Sequence, residues 1–396
     1  MSAPRSPRGA GLPPLPPELD PTPRRRSPGR ARRVTLTTCA ALSVLLLVLS
    51  GTYWWKYRQF STSLERVDIS AVQTAGSGSG ENILVTGNDD RTDMTPQETQ
   101  VLHTGTDGGS LNTDTIMIIH IPAGGARATL VSIPRDSYVD IPGYRKDKIN
   151  AAYPDAYTAT HGTETDKRQA GARLLTQTVE HLTGVRIDHY AQVDLLGFYR
   201  ISNALGGVPV DMCTAVQEPK SGIDLHQGVN VIQGVQALAF VRQRYGYPNG
   251  LGDLDRVKRQ QYFLTAAFRK VVSAGVLLNP FKLQDLLKAV QSSLFVDAGL
   301  DPLALGRQLQ NLTANNIAGR TIPTDGFADT GVGSVVVVHP DQVQAFMRAI
   351  DQPPATPSPA TAPPARPPAG GGGGPTPGSP TTPTATGTAP DAGCIY

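Results

Sequence analysis

The sequence predicts an α/β domain, a mixed central sheet with helices on both faces, carried behind one N-terminal transmembrane helix. Three observations predict it. Strand-like and helix-like stretches alternate through the middle of the chain, the pattern of layered α/β folds. A nearly uncharged run of 22 residues stands at 34–55. Both ends have compositions that cannot bury enough apolar surface to offset the entropy of ordering.

The ends set the boundaries. Residues 1–33 are Pro- and Arg-rich, with eight arginines against Glu18 and Asp20, and read as a disordered basic tail. Residues 34–55 are long enough to cross a hydrocarbon layer of ~30 Å as a helix. They end in Tyr53, Trp54 and Trp55, where an aromatic belt belongs. A cleaved signal peptide would need a shorter apolar core and small residues at the cut. Arginine before the span keeps the N-terminus in the cytoplasm, so the rest of the chain is expected outside a cell membrane crossed once. Residues 56–80 are expected to hold a juxtamembrane helix (57–70) and a Gly/Ser linker. Residues 81–351 form the extracytoplasmic domain, and 352–396 a disordered Pro/Thr/Gly-rich tail ending near Cys394.

Within the domain, residues 82–87 read as a buried strand, and 115–121 with 128–133 as a hairpin across Pro122-Ala123-Gly124-Gly125. Residues 166–182 have helical periodicity, 189–193 are a strand, 195–205 a helix and 208–212 a strand. Residues 235–242 form a helix, 245–252 a Gly/Pro-containing loop, and 253–273 a long amphipathic helix. Helices are expected at 282–294, 302–312 and 341–350, and strands at 317–322 and 335–338.

GxSxG, HExxH and Walker motifs are absent, and the seven histidines are scattered, so no zinc site can be read from spacing. Acid and arginine chemistry stands out instead. Asp89 and Asp114 lie at strand ends, where ligands of α/β sheets gather. If their strands are neighbours they can converge on one hard cation, Mg²⁺ being favoured because it accepts few carboxylates plus water and phosphate. The plainer reading is turn chemistry. Arg135 at a strand end suits bidentate phosphate binding or a surface pair with Asp136. Residues 240–261 carry Arg242, Arg244, Arg256 and Arg259. Arg256, Arg259 and Gln260 share one helix face in a first turn, beside the positive end of the dipole, and read as an anion site. Arg242 and Arg244 can both point inward only if the helix ends there and an extended stretch follows.

Together these segments resemble the LytR–CpsA–Psr family: NILVTGNDDR (82–91), NTDTIMIIHI (112–121), SIPRDSYVDIP (132–142), the stretch 188–212, FVRQRYG (240–246) and GDLDRVKRQQ (252–261). The resemblance implies an α-β-α fold. It also implies a phosphotransferase that moves a glycopolymer, such as a teichoic acid or arabinogalactan, from a polyprenyl-pyrophosphate carrier to a muramic acid hydroxyl of peptidoglycan. It implies Mg²⁺ on Asp89 and Asp114. Pyrophosphate would rest on Arg135, Arg242, Arg244, Arg256 and Gln260, with Arg259 close by, and Asp89, Arg135, Arg242 and Arg244 would be catalytic. The polyprenyl chain would run in an apolar tunnel between sheet and helices. Asn88 and Asp90 depart from the family's usual aliphatic or Ser and Ser. A lipid-pyrophosphate-binding protein or pyrophosphatase would use the same residues. Nucleic acid is excluded as a partner, because an outward-facing domain cannot reach it.

One further expectation comes from the residues alone. Cys213 follows the strand 208–212, and Cys394 sits at the end of the tail with apolar Ile395 and Tyr396 behind it. A docking peptide on a flexible tether would let the two cysteines pair.

Overall fold

The structure, a computed structural model, describes residues 29–63, 65–69, 80–91, 94–102, 109–125, 127–219, 221–243, 253–273, 286, 294–300, 305, 312–350 and 393–396. The chain divides into two units, Met1–Gln59 and Phe60–Tyr396. The first is carried by α1, Arg30–Ser63, whose stretch Arg33–Thr52 is long and apolar enough to cross a membrane and has no buried part. Past that stretch the Arg58 guanidinium lies 5.2 Å above the Trp54 ring, a cation–π contact suited to an interface.

In the second unit the elements follow as β1 (Glu65–Val67), β2 (Gly80–Asp90), α2 (Pro96–Val101), β3 (Gly109–Pro122), β4 (Ala128–Ile133), β5 (Tyr138–Asp140), β6 (Lys146–Lys148), α3 (Ala152–Ala159), α4 (Glu164–Thr183), β7 (His189–Val193) and α5 (Leu195–Ala204). Then come β8 (Val208–Met212), β9 (Val216–Glu218), β10 (Ile223–Leu225), β11 (Gly228–Ile232), α6 (Gly234–Arg242), α7 (Asp253–Ser273), β12 (Leu294–Asp297), β13 (Ile317–Thr321), β14 (Phe327–Thr330), β15 (Gly333–Val336) and α8 (Pro340–Ile350). Seven strands form one mixed sheet, ordered β1-β12-β7-β2-β3-β4-β13. β3 is antiparallel to both β2 and β4, whereas β7 runs parallel to β2 and β13 parallel to β4.

Both faces of this sheet are covered, which is why its central strands read as continuous apolar runs. On one face Leu84, Ile116, Ile118, Val131, Ile133 and Tyr190 pack with residues of α3, α4 and α8, including Tyr153, Leu175, Val179 and Val343. On the other, Ile83, Ile121, Met117, Leu130 and Ile317 meet Leu264, Phe268 and Val272 of α7. The second face continues into a cluster of α5, α6, α7 and β8 around Phe240, Phe263 and Met212.

Helix α4 begins with a reciprocal capping box between Thr163 and Asp166 and ends at Gly184 in the left-handed region, φ 69°. Within it Gly171 lets α3 approach: a Cβ there would lie 2.9 Å from both the Tyr153 ring and the Tyr153 carbonyl oxygen. Gly171→Ala should therefore destabilise. The helix-propensity gain of about 1 kcal/mol is outweighed by overpacking of about 1–3 kcal/mol. Urea unfolding of the purified full chain checks the sign.

The structure corrects three expectations about elements. The stretch 57–70 is not a separate helix: α1 runs on to Ser63, and β1 then joins the sheet edge in parallel pairing with β12. Val67 and Ile69 are buried in the main core, so the domain gathers residues before 81. Leu294 opens β12 rather than closing a helix, while 282–293 and 302–311 lie outside the described residues apart from Leu286 and Leu305. The expected loop 245–252 and the tail 352–392 also lie outside them. α2, α3 and the two-stranded pairs β5–β6, β8–β11, β9–β10 and β14–β15 complete the unit.

Inside the sheet, His189 at the start of β7 ties three adjacent strands together. Its Nδ1 lies 3.1 Å from Asp297 and its Nε2 3.3 Å from Glu81. Burial opposes the imidazolium, but the Asp297 hydrogen bond and the charges of Asp297 and Glu81 outweigh it, so His189 titrates above its ordinary value. A raised folded pKa contributes stability that is full below the unfolded pKa of about 6.5 and is lost as pH rises through the folded value. His189→Gln should accordingly cost more stability at low pH than at high pH, as denaturant midpoints measured at both would show. An equal cost at both would contradict the ion-pair account.

The chain's described end returns to this unit. Cys213 and Cys394 are joined by a disulfide, with Cα atoms 4.9 Å apart and a sequence separation of 181. Closing so long a loop stabilises by on the order of 5 kcal/mol in the chain-entropy model.

Candidate functional site

Strand direction places the site. β2 and β4 run the same way and β3 the opposite way. The C-terminal ends of β2 and β4 therefore share one edge of the sheet with the N-terminal part of β3. That edge carries Asp89, Asp114 and Arg135. The register of β2 on β3 shifts between Gly87 and Asn88 and again between Asn88 and Asp89, a bulge that ends regular pairing where the carboxylates begin.

Arg135 donates from Nη1 to Asp114 at 2.6 Å, and its Nε lies 3.4 Å from Asp136. Lys148 Nζ is 3.2 Å from the same Asp136. Arg135 thus makes the pair with Asp136 and also reaches the second strand-end carboxylate, Asp114. Asp89 is held by a two-pronged contact from Arg91. Sequence reasoning gave Arg91 no role. The signal was present, since residues two apart on a strand share a face. Asp90 acts in a different direction. Burial raises the Tyr157 phenol first, the Glu164 hydrogen bond and charge add to it, and the Asp90 charge contributes, bringing it to about 12.

Helix α7 brings the second half of the site to the same sheet end. Thr321, at the end of β13, donates to Gln261 Oε1 at 3.1 Å, whereas Arg269 donates to the Ile317 carbonyl, at the start of β13, at 2.6 Å. α7 therefore runs antiparallel to β13, and its first turns lie toward the end where β4 delivers Arg135. Those turns carry Arg256 and Gln260. Arg256 is 3% exposed. A buried guanidinium beside the positive end of a helix dipole makes a strong local field for an anion.

α6 ends where expected. Arg242 is its last residue, and Gln243 leaves in extended conformation, φ −61° and ψ 134°. Arg242 is half-buried, and Arg244 lies outside the described residues. Gln260 Nε2 donates to the Val241 carbonyl at 3.3 Å, which sets α7's first turns against the end of α6. Arg259 departs from its expected place beside the pyrophosphate. Its side chain is fully buried, and the guanidinium donates to the main-chain oxygens of Gln243 and Tyr396. Carbonyl oxygens can satisfy a permanently charged fork without any ligand.

The donors fit a hard divalent cation. Among the described residues no group of three His, Cys, Asp or Glu side chains gathers, and Asp89 and Asp114 are the two strand-end carboxylates that would hold such a cation. Beside them, Asn88 Oδ1 and Thr113 Oγ1 are buried oxygens without a hydrogen-bond partner among the described residues. Two carboxylates match the preference of Mg²⁺, which completes its shell with water and phosphate oxygens.

Residues 56–350 match the model of the LytR_cpsA_psr family. The cell wall biosynthesis protein LcpA of Corynebacterium glutamicum is 39% identical over 334 residues, covering 78% of this chain and 64% of LcpA. The chain thus spans just under two thirds of that relative. A polyisoprenyl-teichoic acid–peptidoglycan teichoic acid transferase, TagU of Enterococcus faecalis, is 32% identical over 205 residues, covering 51% of this chain and 61% of TagU. The LytR-Csp2A-Psr enzyme of Actinomyces oris, at 20% identity, superposes with TM-score 0.54 over 74% of this chain and 97% of that enzyme. That likeness shows the fold. The chain belongs to the LytR_cpsA_psr family.

Proposed function

We propose that the chain is an Mg²⁺-dependent phosphotransferase. It moves a glycopolymer from a polyprenyl-pyrophosphate carrier to a muramic acid hydroxyl of peptidoglycan, leaving a phosphodiester. The observation that carries this reading is the convergence at one sheet end. Asp89, Asp114 and Arg135 come from strands, and the first turns of α7, with Arg256 and Gln260, arrive at the same edge. The Enterococcus relative, named as a teichoic acid transferase acting on peptidoglycan, supports it.

In this reading Arg135, Arg242, Arg244, Arg256 and Gln260 bind the pyrophosphate and neutralise its charge. Phosphoryl transfer needs mostly positioning and electrostatic stabilisation. The acceptor oxygen bonds to the glycan-side phosphorus, the bond from that phosphorus to the bridging oxygen breaks, and polyprenyl phosphate leaves with the electron pair. The hydroxyl proton passes to a carboxylate or to water. Asp89 and Asp114 would hold Mg²⁺, which supplies charge neutralisation at the phosphates. Ile83, Val85 and Ile119 of the sheet face Phe268 and Val272 of α7, an apolar layer suited to the polyprenyl chain. α1 would keep the domain at the outer surface of the cell membrane.

The test incubates detergent-solubilised full chain with lipid-linked glycopolymer, Mg²⁺ and peptidoglycan. The expected result is glycopolymer in covalent linkage to peptidoglycan and one polyprenyl monophosphate released per link. Release of polyprenyl monophosphate together with glycan phosphate, without linkage to peptidoglycan, would show a pyrophosphatase instead.

A further inference from the structure

We propose that the segment Gly393–Tyr396 is a positioning element of the phosphate site, acting through Arg259; the proposal rests on the reading that Arg256 and Gln260 bind pyrophosphate. The disulfide needs only the sulfur of Cys394, yet the docking continues past it. The Ile395 amide donates to the Asp211 carbonyl at 2.7 Å, and the Ile395 carbonyl accepts from the Cys213 amide at 2.9 Å, so the segment adds a short strand-like step beside β8. The Ile395 side chain is buried in the cluster that also holds Phe240 of α6 and Phe263 of α7. One residue further, the Tyr396 main-chain oxygen accepts from Arg259 Nη1 at 3.2 Å.

The other amino group of Arg259 donates to the Gln243 carbonyl, at the exit of α6. One planar fork therefore joins three pieces: the C-terminal segment, the end of α6 that carries Arg242, and the first turns of α7. Arg256 lies one turn before Arg259, and Gln260 is the next residue. A guanidinium held at two amino groups cannot rotate, so the fork fixes α7's first turns against the end of α6, and with them the spacing of Arg242, Arg256 and Gln260. β8 reinforces the arrangement, because the Asp211 amide donates to the Tyr262 hydroxyl of α7 at 3.2 Å. Removing Ile395 and Tyr396 takes away one acceptor of a fully buried charge and opens its pocket to water, which favours reorientation of Arg259.

The test uses full chain made in an oxidising compartment and held in detergent with Mg²⁺. Geranylgeranyl pyrophosphate is the probe and geranylgeraniol the phosphate-free control, both followed by calorimetry. Three variants are compared: deletion of Ile395 and Tyr396 with Cys394 kept, Arg259→Lys, and the two combined. Each single change is expected to weaken pyrophosphate binding about tenfold, the size of one hydrogen bond to a charged group, and to leave alcohol binding unchanged. The combination is expected to be no weaker than either single change, since both break one link. Losses that multiply, or unchanged pyrophosphate affinity in the deletion, would overturn the proposal. If the deletion does not fold, Arg259→Lys in the intact chain decides alone: unchanged affinity overturns the proposal. Arg256→Ala separates the two readings. It is expected to weaken pyrophosphate binding, and if it does not, the pyrophosphate reading falls and the positioning role with it.

Discussion

Arg256→Lys is expected to lower glycopolymer transfer about 100-fold, nearly as far as Arg256→Ala, a size typical of losing one preorganised donor at a reacting centre. Arg256 is buried in the first turns of α7, where only a planar fork can give two parallel hydrogen bonds to one phosphate. Lysine keeps the charge but offers a point donor on a flexible stem. The measurement is initial transfer rate with lipid-linked glycopolymer, alongside thermal melting to separate chemistry from folding. Recovery of most activity by lysine would mean that Arg256 contributes only diffuse charge.

Asp114→Ala and Asp89→Ala are each expected to reduce transfer about 1000-fold, because each removes one of two carboxylates available to the cation. The fold should survive. Both side chains are partly exposed, and their partners Arg135 and Arg91 can turn to water or to Asp136. The pairs are partly buried but solvent-screened, so each loss is expected to cost on the order of 1–2 kcal/mol and the melting temperature to fall by a few degrees. Excess chelator should reproduce the loss in the unaltered chain, and added Mg²⁺ should restore it. Full transfer in excess chelator would remove the metal from the account.

Much of the fold was legible because its elements carry local signals. β7, β8 and α7 were read with the bounds they have, and α4 with an error of one or two residues, since each carries a local hydrophobic pattern. β1 was not legible. It is three residues long, and its sheet partner among the described residues is β12, some 230 residues away, so no local pattern separates it from the helix that precedes it. The apolar Leu294 was absorbed into a helix for the same reason: short apolar runs fit both periods. α3 was hidden by Pro154, which sits in its first turn and reads as a breaker elsewhere.

At the site, residue types and order marked Asp89, Asp114 and Arg135, but not their convergence. That comes from the antiparallel course of β3 between β2 and β4, a property of topology. Arg259 shows the opposite failure. Its helix face was read from spacing, yet burial against Gln243 and Tyr396 decides what it does. The cysteines were paired from exposure to an oxidising compartment and from the apolar residues behind Cys394, features that need no topology.

In the proposed function the strand-end carboxylates and the first turns of α7 form one phosphate site. The most direct measurement is a crystal structure of the full chain with geranylgeranyl pyrophosphate and Mg²⁺. The expected result is both phosphates between Arg135 and Arg256, within hydrogen-bond reach of each guanidinium, and the cation on Asp89 and Asp114. Phosphates bound away from either arginine, or a cation bound elsewhere, would contradict it.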